Sequence, residues 1–313
     1  MIPSRQIVLE AGKRVAPFVH RTPVLTSRLL NEMAGAEVFF KCENLQKMGA
    51  FKMRGAINAI QQLSEVQKKA GVVTHSSGNF GQALALAAKN LGVNAYIVMP
   101  SSAPAVKIEA VKSYGGLVTI TEPTLEAREK SAANIVAEKG AVFLHPSNDL
   151  NVIVGQGTAA LELLQDQPGL EYIMSPVGGG GLIAGTALAA HYLGNNCRVI
   201  GGEPMEVDDA YRAFKSGKIE YNTSTDTIAD GLKTNLGDIN FPIIMELVSD
   251  IIRVEEGEIV NAMKLIWERM KLVIEPSSAV PFAALLKERE KFKNKKVGII
   301  LSGGNVELSN LPF

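Results

Sequence analysis

Lys52 follows a glycine and an aromatic residue in Gly49-Ala50-Phe51-Lys52-Met53-Arg54-Gly55, where a helical pattern begins. An amine held there loses hydration and freedom, so its pKa can fall and it can condense with an aldehyde to a Schiff base. A solvated surface lysine carries the same local signature, so Lys52 becomes informative only beside other segments. One is Gly178-Gly179-Gly180-Gly181, between the apolar run Tyr172 to Val177 and a small-residue run ending near Ala190. Without β-carbons the backbone can turn several N–H groups toward one point, and a helix dipole adds positive potential there. A phosphate is the natural guest. The pattern matches neither G-x-x-x-x-G-K-[ST] nor G-x-G-x-x-G, which argues against a nucleotide loop. Close helix–sheet packing is the other use for glycine, but four in a row favour the anion.

Two further segments offer polar groups at strand ends. Ser76-Ser77-Gly78-Asn79 follows the apolar run Gly71 to Thr74. In open α/β sheets that edge binds ligands. Its hydroxyls suit a carboxylate and its amide suits a phenolate-type oxygen; the same residues equally suit a helix cap. Ser302-Gly303-Gly304-Asn305 follows Lys296 to Leu301. Its serine could meet a ring nitrogen, or the segment is an ordinary turn.

The elements that must position these groups alternate. Ala36 to Cys42 reads as a strand feeding the Lys52 loop, and Met53 to Leu63 as a helix. Strands follow at Gly71–Thr74, Ala95–Pro100, Leu117–Thr121 and Ala141–Leu144, with helices at Ala83–Leu91, Pro104–Tyr114 and Leu125–Lys139 between them. The pattern restarts with a helix at Gly157–Leu164 and strands at Tyr172–Val177, Arg198–Glu203 and Lys296–Leu301. Before the first strand stand helical runs Ile7–Ala16 and Leu25–Met33 around a Thr22-Pro23 turn. Ile259, Met263, Ile266, Trp267 and Met270 fall at helical spacing, a core-facing stripe. This order predicts an α/β protein of two three-layer domains with mostly parallel twisted sheets. Residues 1–65 plus 149–313 would form a large domain and 66–148 a small mobile one.

Composition narrows the class. With 313 residues, 46% hydrophobic, the chain can bury a large core. Lys+Arg and Asp+Glu are both 32, so the formal net charge is zero, and no basic run marks a nucleic-acid or membrane partner. The opening Met1-Ile2-Pro3-Ser4-Arg5 has no apolar signal core, and no uncharged run approaches the about 20 residues of a membrane span. Cys42 and Cys197 are too few for a disulfide framework and suit buried thiols in a cytoplasmic setting.

Taken together the segments resemble a known family, the pyridoxal-phosphate enzymes of the tryptophan-synthase-β superfamily (fold type II), in the branch of serine/threonine dehydratases and serine racemases. The resemblance lies in Lys47-x-Gly49-x-Phe51-Lys52-x-Arg54-Gly55-Ala56, Ser76 to Asn79, Gly155-Gln156-Gly157-Thr158, Gly178 to Gly181, Ile228-Ala229-Asp230-Gly231, Glu275-Pro276 and Leu301 to Asn305. Each motif is modest; their order across nearly the whole chain is specific.

The resemblance implies roles. Lys52 would hold pyridoxal 5′-phosphate as a Schiff base and then take the substrate's α-proton. Gly178, Gly179, Gly180 and Gly181 would bind the cofactor phosphate, Asn79 its 3′-oxygen, Phe51 would lie on its ring, and Ser302 would face its nitrogen. Ser76, Ser77 and Asn79 would hold the substrate carboxylate, with Ser77 the acid/base on the face opposite the lysine in racemase-like members. Glu203, the Val207 carbonyl and Asp209 would bind Mg²⁺, Ca²⁺ or Mn²⁺, oxygen donors being right for a hard cation; acids at a helix N-terminus are the alternative. A homodimer with an amino-acid substrate is implied.

The activity expected first is dehydration of L-serine or L-threonine to a 2-oxo acid and ammonia. Serine racemisation by Lys52 and Ser77 is the alternative, followed by 3-hydroxyaspartate dehydration with Arg128 meeting a second carboxylate. A non-catalytic pyridoxal-phosphate or amino-acid binder, or a nucleotide-binding α/β protein, is the alternative of another class. Two residues depart from the family pattern: Ala50 where serine is usual, and Phe80 where histidine is usual. The chain ends at Phe313, soon after Ser302, so no C-terminal domain for feedback by isoleucine is expected.

Overall fold

Apolar runs and helices alternate into two sheets in the computed structural model, which describes residues 2–313; Met1 of the opening segment lies outside them. The strands are β1 (Val24–Leu25), β2 (Glu37–Cys42), β3 (Val72–His75), β4 (Ala95–Pro100), β5 (Leu117–Thr121), β6 (Val142–Phe143), β7 (Tyr172–Pro176), β8 (Arg198–Pro204), β9 (Val248–Val254) and β10 (Lys296–Leu301). Six form one sheet in the order β1-β2-β10-β7-β8-β9, and four form the other in the order β5-β4-β3-β6. Every pairing is parallel except β1 with β2. The α/β class with mostly parallel sheets is as the sequence predicts.

Register decides where function can sit. Leu301 of β10 pairs with Cys42 of β2, and Ile299 pairs with Met174 of β7. The carboxyl ends of three adjacent strands therefore coincide. The loops leaving them carry Lys52, Ser302 and the four glycines. In the second sheet the carboxyl end of β3, at His75, delivers Ser76 to Asn79.

Helices cover both faces of the six-stranded sheet. On one, Gly181–Leu193 is buried almost throughout and reads Gly-Leu-Ile-Ala-Gly-Thr-Ala-Leu-Ala-Ala. Its small residues admit close contact: a β-carbon on Gly185 would strike the Ile153 carbonyl and Gly157. On the other face, helices Glu256–Met270 and Pro276–Lys287 pack through Ile259, Met263, Ile266, Val280 and Phe282. The helical stripe is core-facing, with Trp267 and Met270 at its half-buried margin. Helix Lys52–Gln61 joins the two units: Met53, Ile57 and Ile60 share one buried cluster with Val72, Phe80, Leu84 and Ile97.

Several elements differ from the sequence-based expectation. The run expected as a helix from Leu25 begins with β1, and the helix is Arg28–Ala34, capped by the Ser27 hydroxyl on Leu30 N–H. Val24-Leu25 instead pairs with Phe40-Lys41 and covers the sheet edge. The helix expected at Gly157–Leu164 is preceded by Leu150–Gln156, capped by Asp149. Strand β9 and helix Pro276–Lys287 carry no signal strong enough to have been singled out; the latter has Pro281 in its interior.

Candidate active site

Lys52 begins its helix, and the chain just before it is tied to the end of β10. Phe51 N–H donates to the Ser302 carbonyl at 3.0 Å, and Ala50 bridges Gly303. The half-buried Lys52 donates through Nζ to the Pro146 carbonyl at 2.8 Å. Nζ lies 4.9 Å from the centre of the Phe51 ring and 5.8 Å from that of Phe80. Burial beside these rings lowers the ammonium pKa to about 8, against the opposing pull of Glu275. Such an amine is neutral far more often than a surface lysine. Phe80, one of the two residues that depart from the family pattern, thus packs toward the lysine and is fully buried.

Two residues beyond Lys52, Arg54 closes a network that the sequence motif did not disclose. Its guanidinium donates to both oxygens of Glu43 and both oxygens of Glu162, and Lys41 Nζ donates to Glu162 at 2.6 Å. Two cations and two carboxylates, all buried, pin the Lys52 helix to β2 and to helix Thr158–Asp166. Charge balance inside the core is what makes their burial tolerable.

The four glycines turn from β7 into helix Gly181–Leu193, with Gly180 at φ 79°. β-Carbons there would meet Leu232 at Gly178, Thr234 and Ser147 at Gly179, Leu236 and Asn240 at Gly180, and Gln156 at Gly181. Close packing is therefore one reason for glycine. The other is in the donors: among the described residues, no protein acceptor takes the N–H groups of Gly178, Gly179 or Gly180, although all three residues are buried. Buried N–H groups without acceptors are rare. At a helix N-terminus they fit a phosphate. Asn240, buried and absent from the sequence-based set, braces the turn by donating to the Gly179 and Ser147 carbonyls at 2.8 and 2.9 Å.

Ser302 lies beside the turn of β10, 2% exposed, its hydroxyl 3.0 Å from that of Ser278. Ser278, also missed by sequence reasoning, donates to the Gly303 carbonyl and accepts from the Gly303 N–H, each at 2.7 Å. Asn79 is held from both sides. Its Nδ2 donates to Glu275 at 3.0 Å, and its Oδ1 accepts from Asn305 Nδ2 at 2.9 Å. Ser76 Oγ accepts from Gly78 N–H at 3.4 Å. Among the described residues the Ser77 hydroxyl takes no protein partner, and the whole segment is half-buried. A substrate carboxylate would find free donors there.

His145, at the loop after β6, escaped notice in the sequence. Its Nδ1 accepts from the backbone N–H groups of Ser147 and Asn148 at 3.2 and 2.8 Å, so the proton of the neutral ring sits on Nε2. Burial, then His75 and Lys52, depress its pKa to about 4, so it remains neutral at physiological pH. The only signal in sequence was its place at a strand's carboxyl end.

Two expected sets make no hydrogen bond to Lys52 among the described residues. Arg128 folds back on its own helix, Nε donating to the Thr124 carbonyl at 3.3 Å, with its charge felt at His75. Glu203 and Asp209 are buried near the start of helix Asp209–Ser216, with buried Val207 between them. Glu203 accepts from Ala210 and Tyr211 N–H; Asp209 accepts from Asn222 Nδ2 and Leu236 N–H. Burial first, then the Asp209 charge, push the Glu203 pKa well up. Among the described residues no group of three or more His, Cys, Asp or Glu is arranged to hold a metal ion. No helix among them is long and apolar enough to cross a membrane. A surface hollow lined by His191, Cys197 and Arg198 among others lies at the opposite end of helix Gly181–Leu193 from the glycines.

Comparison with known proteins bears on this geometry. Residues 15–303 match the family model for pyridoxal-phosphate dependent enzymes. The chain is 52% identical over 308 residues to serine racemase of Dictyostelium discoideum, covering 97% of this chain and 95% of that protein. It is 47% identical over 312 residues to beta-hydroxyaspartate dehydratase of Paracoccus denitrificans, covering 100% of this chain and 99% of that protein. The solved structure of maize serine racemase superposes with a TM-score of 0.96 at 46% identity, covering 99% and 95% of the two chains. A half-buried, low-pKa lysine and a run of acceptor-free glycine N–H groups at neighbouring strand ends, in a chain matched almost end to end, lead to one conclusion: this protein belongs to the pyridoxal-phosphate dependent enzymes, in the serine racemase and dehydratase branch of fold type II.

Proposed function

We propose that the chain racemises serine and also eliminates water from it, with Lys52 and Ser77 as the two acid/base groups. The observation that carries this is the Ser77 hydroxyl, without a protein partner among the described residues, in a loop that leads into Phe80, whose ring centre lies 5.8 Å from the depressed-pKa lysine. The 52% identity to a serine racemase supports ranking racemisation above the simple dehydration expected first.

Bound pyridoxal phosphate supplies an electron sink that acidifies the α-carbon of an attached amino acid. Lys52 would carry the aldehyde, the N–H groups of Gly178 to Gly181 its phosphate, Asn79 its 3′-oxygen, and Ser302 its ring nitrogen, with Phe51 along the ring. Lys52 Nζ, with a pKa near 8, exchanges the α-proton on one face near neutral pH. Ser77 Oγ serves the other face. Ser76 and Ser77 with the loop N–H groups orient the carboxylate. The Ser302 hydroxyl brings no counter-charge to the ring nitrogen, which weakens the sink and suits loss of a β-hydroxyl.

The test is L- and D-serine supplied separately, with chiral analysis of residual serine and assay of 2-oxo acid. Ser77→Ala is expected to reduce D-serine formation and use more than elimination from L-serine. Equal losses would remove the two-base assignment. Lys52→Ala is expected to abolish the cofactor's visible absorbance.

A second substrate has its own support. The relative in Paracoccus denitrificans acts on beta-hydroxyaspartate, and here Arg128 and His75 bring positive and hydrogen-bonding character to the edge of the four-stranded sheet. 3-Hydroxyaspartate belongs in the same assay; a higher kcat/KM than for serine, lost in Arg128→Ala, would reverse the order of substrates. We also propose a divalent cation, Mg²⁺ first, held by Glu203, Asp209 and the Val207 carbonyl. Two buried carboxylates without a paired cation support it. Chelation is expected to lower the melting temperature of the wild type but not of Asp209→Ala.

A further inference from the structure

Glu275 stands immediately before helix Pro276–Lys287 and is 3% exposed. Both carboxylate oxygens lie 3.0 Å from a single donor, Asn79 Nδ2. The roles proposed above leave it unused. Buried carboxylates ordinarily pair with a cation or several N–H groups. Around Glu275 the charges come from separate elements. Asp230, at the Asp230–Leu232 turn, adds like charge. Lys107, of helix Ala105–Ser113, adds opposite charge, and Lys52 faces it from helix Lys52–Gln61. The nearby Asn305 N–H favours its charged form, and Gly303 packs so closely that a β-carbon there would lie 2.9 Å from Oε1.

The Asn79 carboxamide sits between this acid and Asn305. Asn305 Nδ2 donates both to Asn79 Oδ1 at 2.9 Å and to the Met48 carbonyl at 2.8 Å, so its orientation is fixed from outside. Turning the Asn79 amide over would set its oxygen against an anionic carboxylate and its nitrogen against another amide nitrogen. Ionised Glu275 therefore admits one orientation. Protonated Glu275 can itself donate and loses that discrimination.

We propose that Glu275 is a positioning residue whose ionised carboxylate fixes the Asn79 amide, and whose protonation releases it. The inference rests on Asn79 and Lys52 being the cofactor's neighbours. Burial, then Asp230, raise the Glu275 pKa to about 7, which puts the change in the working range.

The experiment has two arms. The first compares melting of cofactor-free wild type and Glu275→Gln between pH 4.5 and 8. An unfolded glutamic acid loses its proton near about 4.3, the buried one near about 7. Its stabilising contribution is therefore complete below the lower value and is lost as pH rises through the upper one. The Tm of Glu275→Gln is expected to rise relative to wild type across that window; a flat difference overturns the proposal. The second arm follows kcat and the cofactor's absorbance maximum against pH in the loaded enzyme. Wild type is expected to inflect near neutrality and Glu275→Gln to show no inflection, with kcat about tenfold lower above pH 7 and KM little changed. Glu275→Asp keeps an acid but withdraws it from Asn79, so kcat should fall while an inflection persists. An inflection retained in Glu275→Gln, or wild-type kcat in Glu275→Asp, overturns the proposal. Should the protein take up no cofactor, the assignment of Lys52 fails, and the first arm still decides the titration of Glu275.

Discussion

Lys52 is chemically useful because of what its surroundings take away. Phe51 and Phe80 replace water near Nζ, and the single hydrogen bond to the Pro146 carbonyl replaces a hydration shell. The stabilising pull of Glu275 is too weak to restore an ordinary ammonium pKa. That lowered value is also a cost to the empty fold. A lysine with a folded pKa of about 8 holds fewer protons than the unfolded chain between that pH and its ordinary value of 10.5, so stability rises with pH across that interval and is lost as pH falls through 8. Lys52→Met, which fills the same space without charge, is expected to raise the Tm of the cofactor-free protein at pH 7. The gain should shrink as pH rises from 8 to 10.5, as differential scanning calorimetry at a series of pH values would measure. A gain independent of pH would mean that the lysine is not desolvated.

At the scale of elements, the Lys52 helix is placed by charge as much as by packing. Arg54 anchors it to Glu43 beyond β2 and to Glu162 of helix Thr158–Asp166, and Lys41 of β2 completes the neutral set. Arg54→Met would leave two buried carboxylates with one lysine between them. A loss of about 3–5 kcal/mol is expected, measured by urea unfolding at pH 7. A loss below about 1 kcal/mol would indicate that the network is wet or redundant. The sequence showed the outer half of this arrangement. Lys52, the four glycines, Ser302 and Asn79 were legible because parallel β/α order sends strand ends to one edge, and because glycine and serine are unusual enough there to be noticed. The supports were not. Glu162 is one acid in an ordinary helical run, and Lys41 alternates into a strand where a surface lysine reads the same. Asn240, Ser278 and His145 act through contacts between segments 61 to 93 or 24 to 25 residues apart, or through backbone N–H groups, none of which local pattern encodes. Leu25 reads as the start of a helix because two residues of Val-Leu carry no period, and only pairing with β2 makes them a strand.

Across the whole molecule, the two sheets meet at the site through long-range bonds: Lys52 to Pro146, Asn79 to Glu275, and the ion pair of Lys107 with Asp230 at 2.9 Å. We propose that residues 66–148 move against the remainder and that this pair helps to hold them closed. Lys107 and Asp230 are 29% and 50% exposed, so the pair contributes about 0–1 kcal/mol and Asp230→Asn should barely shift the Tm. Its electrostatic effect reaches further than its stability. Asp230 holds the Glu275 pKa up by like charge, whereas Lys107 draws it down. Removing the aspartate charge deletes the first influence and frees the lysine to exert the second. The neutral-pH inflection attributed to Glu275 is therefore expected to move to lower pH in Asp230→Asn. KM should rise, because closure around the substrate loses one of its ties. An inflection that stays in place would mean that the two carboxylates do not sense one another, and an unchanged KM would mean that closure does not depend on the pair.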